Sequence, residues 1–131
     1  MRAHGTSAYP EECCGILLGK LRNPAAPPDL ADAEITEAIP AQNLAPSNRA
    51  SRFVLDPRAY IHADRLARDL GLTVIGCYHS HPDHGAIPSA TDVSLAWPEM
   101  LYAIMTVERA GAGEIRVWRY QRGEAQEVVF V

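Results

Sequence analysis

Residues 73–92, TVIGCYHSHPDHGAIPSATD, set the tightest constraint on how this chain folds. Nine mostly apolar, strand-forming residues (73–81) run into Pro82. Proline lacks the N–H a sheet ladder needs, so it closes the strand there. Residues 82–88 read as loop, and the chain restarts after Pro88 as a short helix from Ser89 to Trp97, ended by Pro98. Side chains alternate along a strand, so Cys77, His79 and His81 share one face and Ser80 turns to the other. Ser89 and Asp92, three apart in the first helical turn, share a helical face.

The rest of the chain falls into place around this strand–loop–helix unit. CCGILLGKL (13–21) reads as a buried strand and AEITEAI (33–39) as its partner, separated by the proline-rich turn 23–32. Residues 40–51 form a long loop, a length that leans functional, and RFVLD (52–56) a brief strand. Asp56-Pro57 opens a helix, because Asp caps well and Pro suits the first helical position. Ala59, Ala63, Leu66 and Leu70 would form its apolar face, and Gly71 ends it. Strands follow at 101–107, 114–120 and 127–131, split by turns at Gly111–Gly113 and Gly123. Residues 2–9 read as the end of a helix. The expectation is one α/β domain over residues 1–131, with a mixed, curved sheet of about six strands flanked by helices.

Composition removes several classes of function. The formal net charge is −4 and Lys20 is the one lysine among 131 residues, so no basic groove for nucleic acid is expected. The arginines at 65/68 and 116/119/122 read as solvated faces. No apolar run approaches the roughly 20 residues of a membrane span, and the N-terminus lacks a signal peptide's apolar core, so the expected location is the cytoplasm. Three cysteines, two of them adjacent, make no disulfide framework; Cys13, Cys14 and Cys77 read as small buried hydrophobes. Trp97 and Trp118 read as core, and His4 and His62 as surface.

Two readings compete for Ser89 and Asp92. Ser-x-x-Asp before an apolar helix is a capping box that satisfies orphan backbone N–H groups. Together with His79 and His81, Asp92 also completes a two-histidine, one-carboxylate donor set of the kind that holds catalytic zinc and leaves a position for water. Zinc lowers the pKa of such a water to about 7, which supplies a nucleophile at neutral pH. A carboxylate must then move the proton, and a donor must meet the developing oxyanion. Glu12 is a candidate base, acidic at the head of an apolar strand, and Ser89 a candidate donor. His84, in the loop, reads as a substrate-side or solvent residue.

His79-Ser80-His81, seven residues, Ser89, two residues and Asp92 resemble the HxH-x7-S-x2-D motif of the JAMM/MPN+ metalloprotease family. Glu12-Cys13-Cys14-Gly15-Ile16-Leu17-Leu18-Gly19 resembles that family's E-x-C-G-x-L-x-G strand, and the likeness runs from about Tyr9 to Tyr120. The resemblance implies a cytidine deaminase-like α/β fold. It implies Zn2+ held by His79, His81 and Asp92, Glu12 as general base, and Ser89 as oxyanion donor. It selects Glu12 over Glu11, by its spacing to Gly15 and by strand alternation. Members usually carry a strand and most of a helix before the equivalent of Tyr9, where this chain has eight residues. Short bacterial members resemble enzymes that trim ubiquitin-like sulfur carriers of the ThiS/MoaD type after a C-terminal Gly-Gly, releasing cysteine or a peptide. The partner implied is that carrier tail, with the 40–51 loop, including Asn43, and the 82–88 loop as the candidate lining of its path. Alternatives are a non-catalytic MPN scaffold and a zinc amidohydrolase on a small molecule.

Overall fold

The computed structural model describes residues 1–22 and 33–128. Its elements are α1 (Arg2–Ala8), β1 (Cys14–Leu21), β2 (Ala33–Ala41), α2 (Pro57–Leu70), β3 (Thr73–Pro82), α3 (Ala90–Leu95), β4 (Leu101–Glu108), β5 (Gly111–Gln121) and β6 (Glu124–Val128). The strands form one six-stranded sheet in the order β2-β1-β3-β4-β5-β6. All neighbours are antiparallel except β3 and β4. A parallel pair needs a crossover, and here the crossover is the 83–100 segment that contains α3. The sheet is therefore mixed, as expected, and its one parallel junction carries the histidine strand into the loop.

Local chemistry explains the element ends. Asp56 caps α2, its side chain accepting from Arg58 N at 3.0 Å, and Pro57 occupies the first turn. Gly71 closes the helix in the left-handed region, φ 67° and ψ 30°, where a residue without Cβ is favoured. Gly15 serves packing instead: a Cβ there would lie 2.2 Å from the Tyr78 ring.

Burial divides between the two sheet faces. Leu17, Tyr78, Met105 and Val117 pack with Met1, Ala8 and Tyr9 on the α1 side. Ile16 and Leu18 pack against Ala63 and Ala67 of α2 on the other. Ile104, Trp118 and Tyr120 continue that second face towards Val93 and Ala96 around α3. His79 pairs across the sheet with Cys14 and Ile104, and so lies on the α2/α3 face.

Several expectations need correction. Residues 52–56 form no strand; Leu55 makes a single isolated bridge with Asn43. The apolar face of α2 centres on Ala63 and Ala67, while Leu70, in the last turn, is 52% exposed. Trp118 is buried, but Trp97, past the C-terminal end of α3, is 66% exposed. His4 is half-buried, since its Nδ1 meets the Tyr78 hydroxyl at 2.8 Å under α1. Cys13 and Cys14 are buried as expected; Cys77 is only half-buried and faces a cavity. The expected turn at 23–32 and the end of the last strand, 129–131, lie outside the described residues.

Candidate metal centre

Strand alternation sends Cys77, His79 and His81 to one face of β3, and α3 brings Asp92 over the same spot. His79 Nε2 lies 3.1 Å from His81 Nε2 and 3.3 Å from Asp92 Oδ2; His81 Nε2 lies 3.1 Å from Asp92 Oδ2. Among the described residues this is the cluster that could hold a metal ion. The triangle is a test of fit. Ligands at roughly 2.0–2.1 Å from a tetrahedral zinc stand about 3.3 Å apart, close to the edges seen here. Two nitrogens and a carboxylate oxygen suit zinc chemically as well.

Each candidate ligand is oriented differently. His81 Nδ1 lies 2.9 Å from the Gly85 carbonyl. A carbonyl only accepts, so Nδ1 carries the proton and Nε2 turns its lone pair into the triangle. His79 stacks on Phe53, ring centroids 4.5 Å apart and 25° between planes, and its Nδ1 is buried without a partner. Asp92 does two jobs at once. Its Oδ2 accepts from Ser89 N at 2.9 Å while its own N–H donates to Ser89 Oγ at 3.0 Å. The capping box and the candidate ligand position are therefore one arrangement, so the cap does not exclude the ligand reading.

Electrostatics follow from burial and partners. Burial lowers the pKa of His79 and so holds the ring neutral. Burial pulls His81 down too, but its contacts with Asp92 and the Gly85 carbonyl outweigh that and leave it raised. Burial alone would raise Asp92, yet the two imidazoles and the Ser89 N–H hold its carboxyl well below the usual range. A neutral imidazole beside an ionised carboxylate is what a metal ion requires of its ligands.

Glu12 sits at the head of β1, 6% exposed, while Glu11 is exposed. Burial pushes the Glu12 carboxyl up to about 7; His81 pulls it down and Asp92 pushes it up by smaller amounts. Its backbone is pinned, Glu12 N donating to Arg49 O at 2.7 Å. Asn43 does the rest. Its amide donates to the carbonyls of Glu12 (3.1 Å) and Arg52 (3.0 Å), and its oxygen accepts from Ala45 N and Val54 N (both 3.0 Å). Those four bonds use up the side chain. Asn43, expected along the substrate's path, folds the 43–54 loop beside Glu12.

Glu12, His79, Ser89 and Asp92 open onto one cavity of about 640 Å3 on the α2/α3 face. Its walls are largely apolar, with Phe53, Leu55 and Tyr102 inside and the exposed Val54, Leu95 and Trp97 at the rim. Cys77 faces it as a protonated thiol, burial pushing it up to about 12. His84 is exposed on the loop and makes no ligand contact. Sequence reasoning missed Phe53, whose segment it took for a strand. It also missed the Gly85 carbonyl, a backbone group that leaves no trace in side-chain spacing.

Comparison with known proteins agrees with this geometry. Residues 1–121 match Prok-JAB, the prokaryotic homologs of the JAB domain. A desampylase of Haloferax volcanii is 34% identical over 96 residues, 72% of this chain and 62% of its own length. The chain thus spans under two thirds of that relative. The CysO-cysteine peptidase of Mycobacterium tuberculosis is 30% identical over 129 residues, covering 97% of this chain and 80% of that protein. The solution structure of a Desulfitobacterium hafniense protein superposes with TM-score 0.76 at 31% identity, covering 95% of this chain and 80% of that one. The motif, the sheet order and these matches place the chain in the prokaryotic JAB-domain family, the compact JAMM/MPN+ type.

Proposed function

We propose that this protein is a zinc peptidase that hydrolyses the bond after the C-terminal Gly-Gly of a ubiquitin-like sulfur-carrier protein, releasing cysteine or a short peptide. The observation that carries the reading is the triangle of His79, His81 and Asp92 beside a buried carboxyl, Glu12, on one open cavity. A scaffold would have no use for that donor set. The relatives' names, a desampylase and a CysO-cysteine peptidase, support the substrate class.

Zinc, when bound, supplies a water acidic enough to attack at neutral pH and polarises the scissile carbonyl. The remaining tasks fall to this chain. Glu12, raised towards neutrality by burial, accepts the proton of the attacking water on its carboxylate and returns it to the leaving amine. Ser89 Oγ uses a lone pair on Asp92 N–H, so its own hydroxyl proton is free to meet the carbonyl oxygen as charge develops. His81 and Asp92 hold their orientation through Gly85 and Ser89. Phe53 covers one face of the His79 ring. An extended Gly-Gly tail can pass close to the metal because it carries no side chains, while the apolar rim receives the residues before it.

Intact mass tests this. A ThiS/MoaD-like carrier bearing one extra C-terminal cysteine is incubated with zinc-loaded protein and, in parallel, with Glu12→Ala. The expected result is a drop to the bare Gly-Gly mass with the wild type alone. An unchanged carrier mass, with zinc confirmed in the protein, would overturn the substrate; equal cleavage by both proteins would overturn Glu12 as base.

A further inference from the structure

We propose that Trp118, on β5 and outside every motif of the chain, is a positioning residue for the metal centre. This rests on the ligand set of the preceding section. Its indole Nε1–H donates to the Ala86 carbonyl at 2.9 Å in a buried setting. Ala86 is the residue after Gly85, whose carbonyl fixes the His81 tautomer at 2.9 Å.

The loop has little else to hold it at that point. Residues 83–88 contain no helix or strand, and Gly85 imposes no conformation of its own. Its first half is tied down. Tyr9 donates its hydroxyl to the Asp83 carboxylate at 2.9 Å, and Asp83 N donates to Val107 O at 2.8 Å. Its second half is tied by Trp118: the indole bond to the Ala86 carbonyl, and the Ala86 methyl, 1% exposed, buried in the cluster of Ile104, Trp118 and Tyr120. Loosening that tie frees the Gly85 peptide to rotate. Without the Gly85 acceptor, the His81 proton is no longer confined to Nδ1, and a proton on Nε2 removes the lone pair a metal needs. Losing such an outer hydrogen bond typically weakens metal binding 10- to 100-fold.

Two measurements test the proposal, and neither relies on turnover. In the first, zinc affinity is read by competition with a chromophoric chelator. Trp118→Phe, which keeps an aromatic ring and removes the N–H, is expected to bind zinc about tenfold more weakly. Tyr120→Phe is the control. It removes a buried hydroxyl from the same cluster that has no partner, and its affinity should stay within about twofold of wild type. Equal affinity of Trp118→Phe and wild type would overturn the proposal, and so would an equal loss in both variants. The second measurement uses the wild-type protein, so it stands if Trp118→Phe does not fold. Linkage is reciprocal: if the indole bond supports zinc, zinc supports the indole bond. Hydrogen exchange of the Trp118 indole N–H should slow about tenfold on zinc loading, with the exposed Trp97 indole as internal reference. Unchanged Trp118 exchange in a zinc-loaded sample would overturn the proposal. Failure of the wild type to bind zinc would overturn the ligand set and this proposal together.

Discussion

Glu12 and Glu11 are neighbours of the same type with opposite fates. One is 6% exposed and carries a carboxyl raised to about 7; the other faces solvent. Glu12→Gln should therefore leave zinc content unchanged and lower turnover by about 10^2- to 10^4-fold, the usual contribution of a positioned acid–base group. Metal analysis beside a carrier-cleavage assay checks both halves. The raised pKa also has a stability consequence. A folded-state value near 7 above an ordinary 4.5 means the folded protein favours the protonated carboxyl. That contribution is complete below about pH 4.5 and is lost as pH rises through 7. Full conversion of the shift would be about 3 kcal/mol; screening by water in the open cavity reduces it to about 1–2 kcal/mol. Metal-free wild type should lose that much relative to metal-free Glu12→Gln between pH 4.5 and 7.5, measured by urea denaturation. His81→Ala should weaken zinc binding by more than about 100-fold, read by chelator competition, because it removes a direct ligand. At this scale spacing was informative about placement: of the six residues expected at the site, Glu12, His79, His81, Ser89 and Asp92 border the cavity or the triangle. The hydrogen bonds of Asn43 were not legible in spacing, because its partners are backbone groups of Glu12 and of the 45–54 loop that only the fold brings together.

At the scale of elements, two glycines separate conformational from packing requirements. Gly71 ends α2 at φ 67° with open space around it, whereas a Cβ on Gly15 would meet the Tyr78 ring. Gly71→Ala should lower stability by about 1 kcal/mol, the left-handed penalty alone. Gly15→Ala should cost more, about 3 kcal/mol, since overpacking pushes on a buried ring bonded to His4. Thermal melts of the two variants check the order. The ends of α2 were legible because Asp56, Pro57 and Gly71 act through local chemistry. Strand β3 was legible because its apolar run stops at a proline. Residues 52–56 were misread because an apolar, β-prone pentapeptide looks the same in a sheet or laid across one. Only tertiary packing decided that Phe53 would stack on His79 and not join a ladder.

At the scale of the whole molecule, one sheet separates two layers: α1 packs on one face, and α2, α3 and the cavity lie on the other. No helix among the described residues is long and apolar enough to cross a membrane. The His79–His81–Asp92 triangle joins β3 to α3 across the crossover, so bound zinc is expected to stabilise the whole fold and not one loop. With free zinc 1,000-fold above Kd, linkage gives about 4 kcal/mol. Chelation should then lower Tm by on the order of 10 °C for a chain of this size, read by calorimetry with and without chelator. The parallel β3–β4 pairing could not be read from spacing, because strand order is decided by long-range contacts that leave no periodic mark.

The carboxylate of Asp92 closes the first turn of α3 and also completes the triangle of ligands. A six-residue helix has too few bonds to persist by itself. Asp92 therefore reaches the triangle only once tertiary packing has ordered α3. The helix becomes ordered and the centre becomes competent in the same event. A glutamate at this position, longer by one methylene, could still reach back to the Ser89 N–H, as glutamate does in the usual capping box, but its oxygen would leave the triangle. One substitution at position 92 therefore acts on the start of a helix and on the donor set in a single stroke.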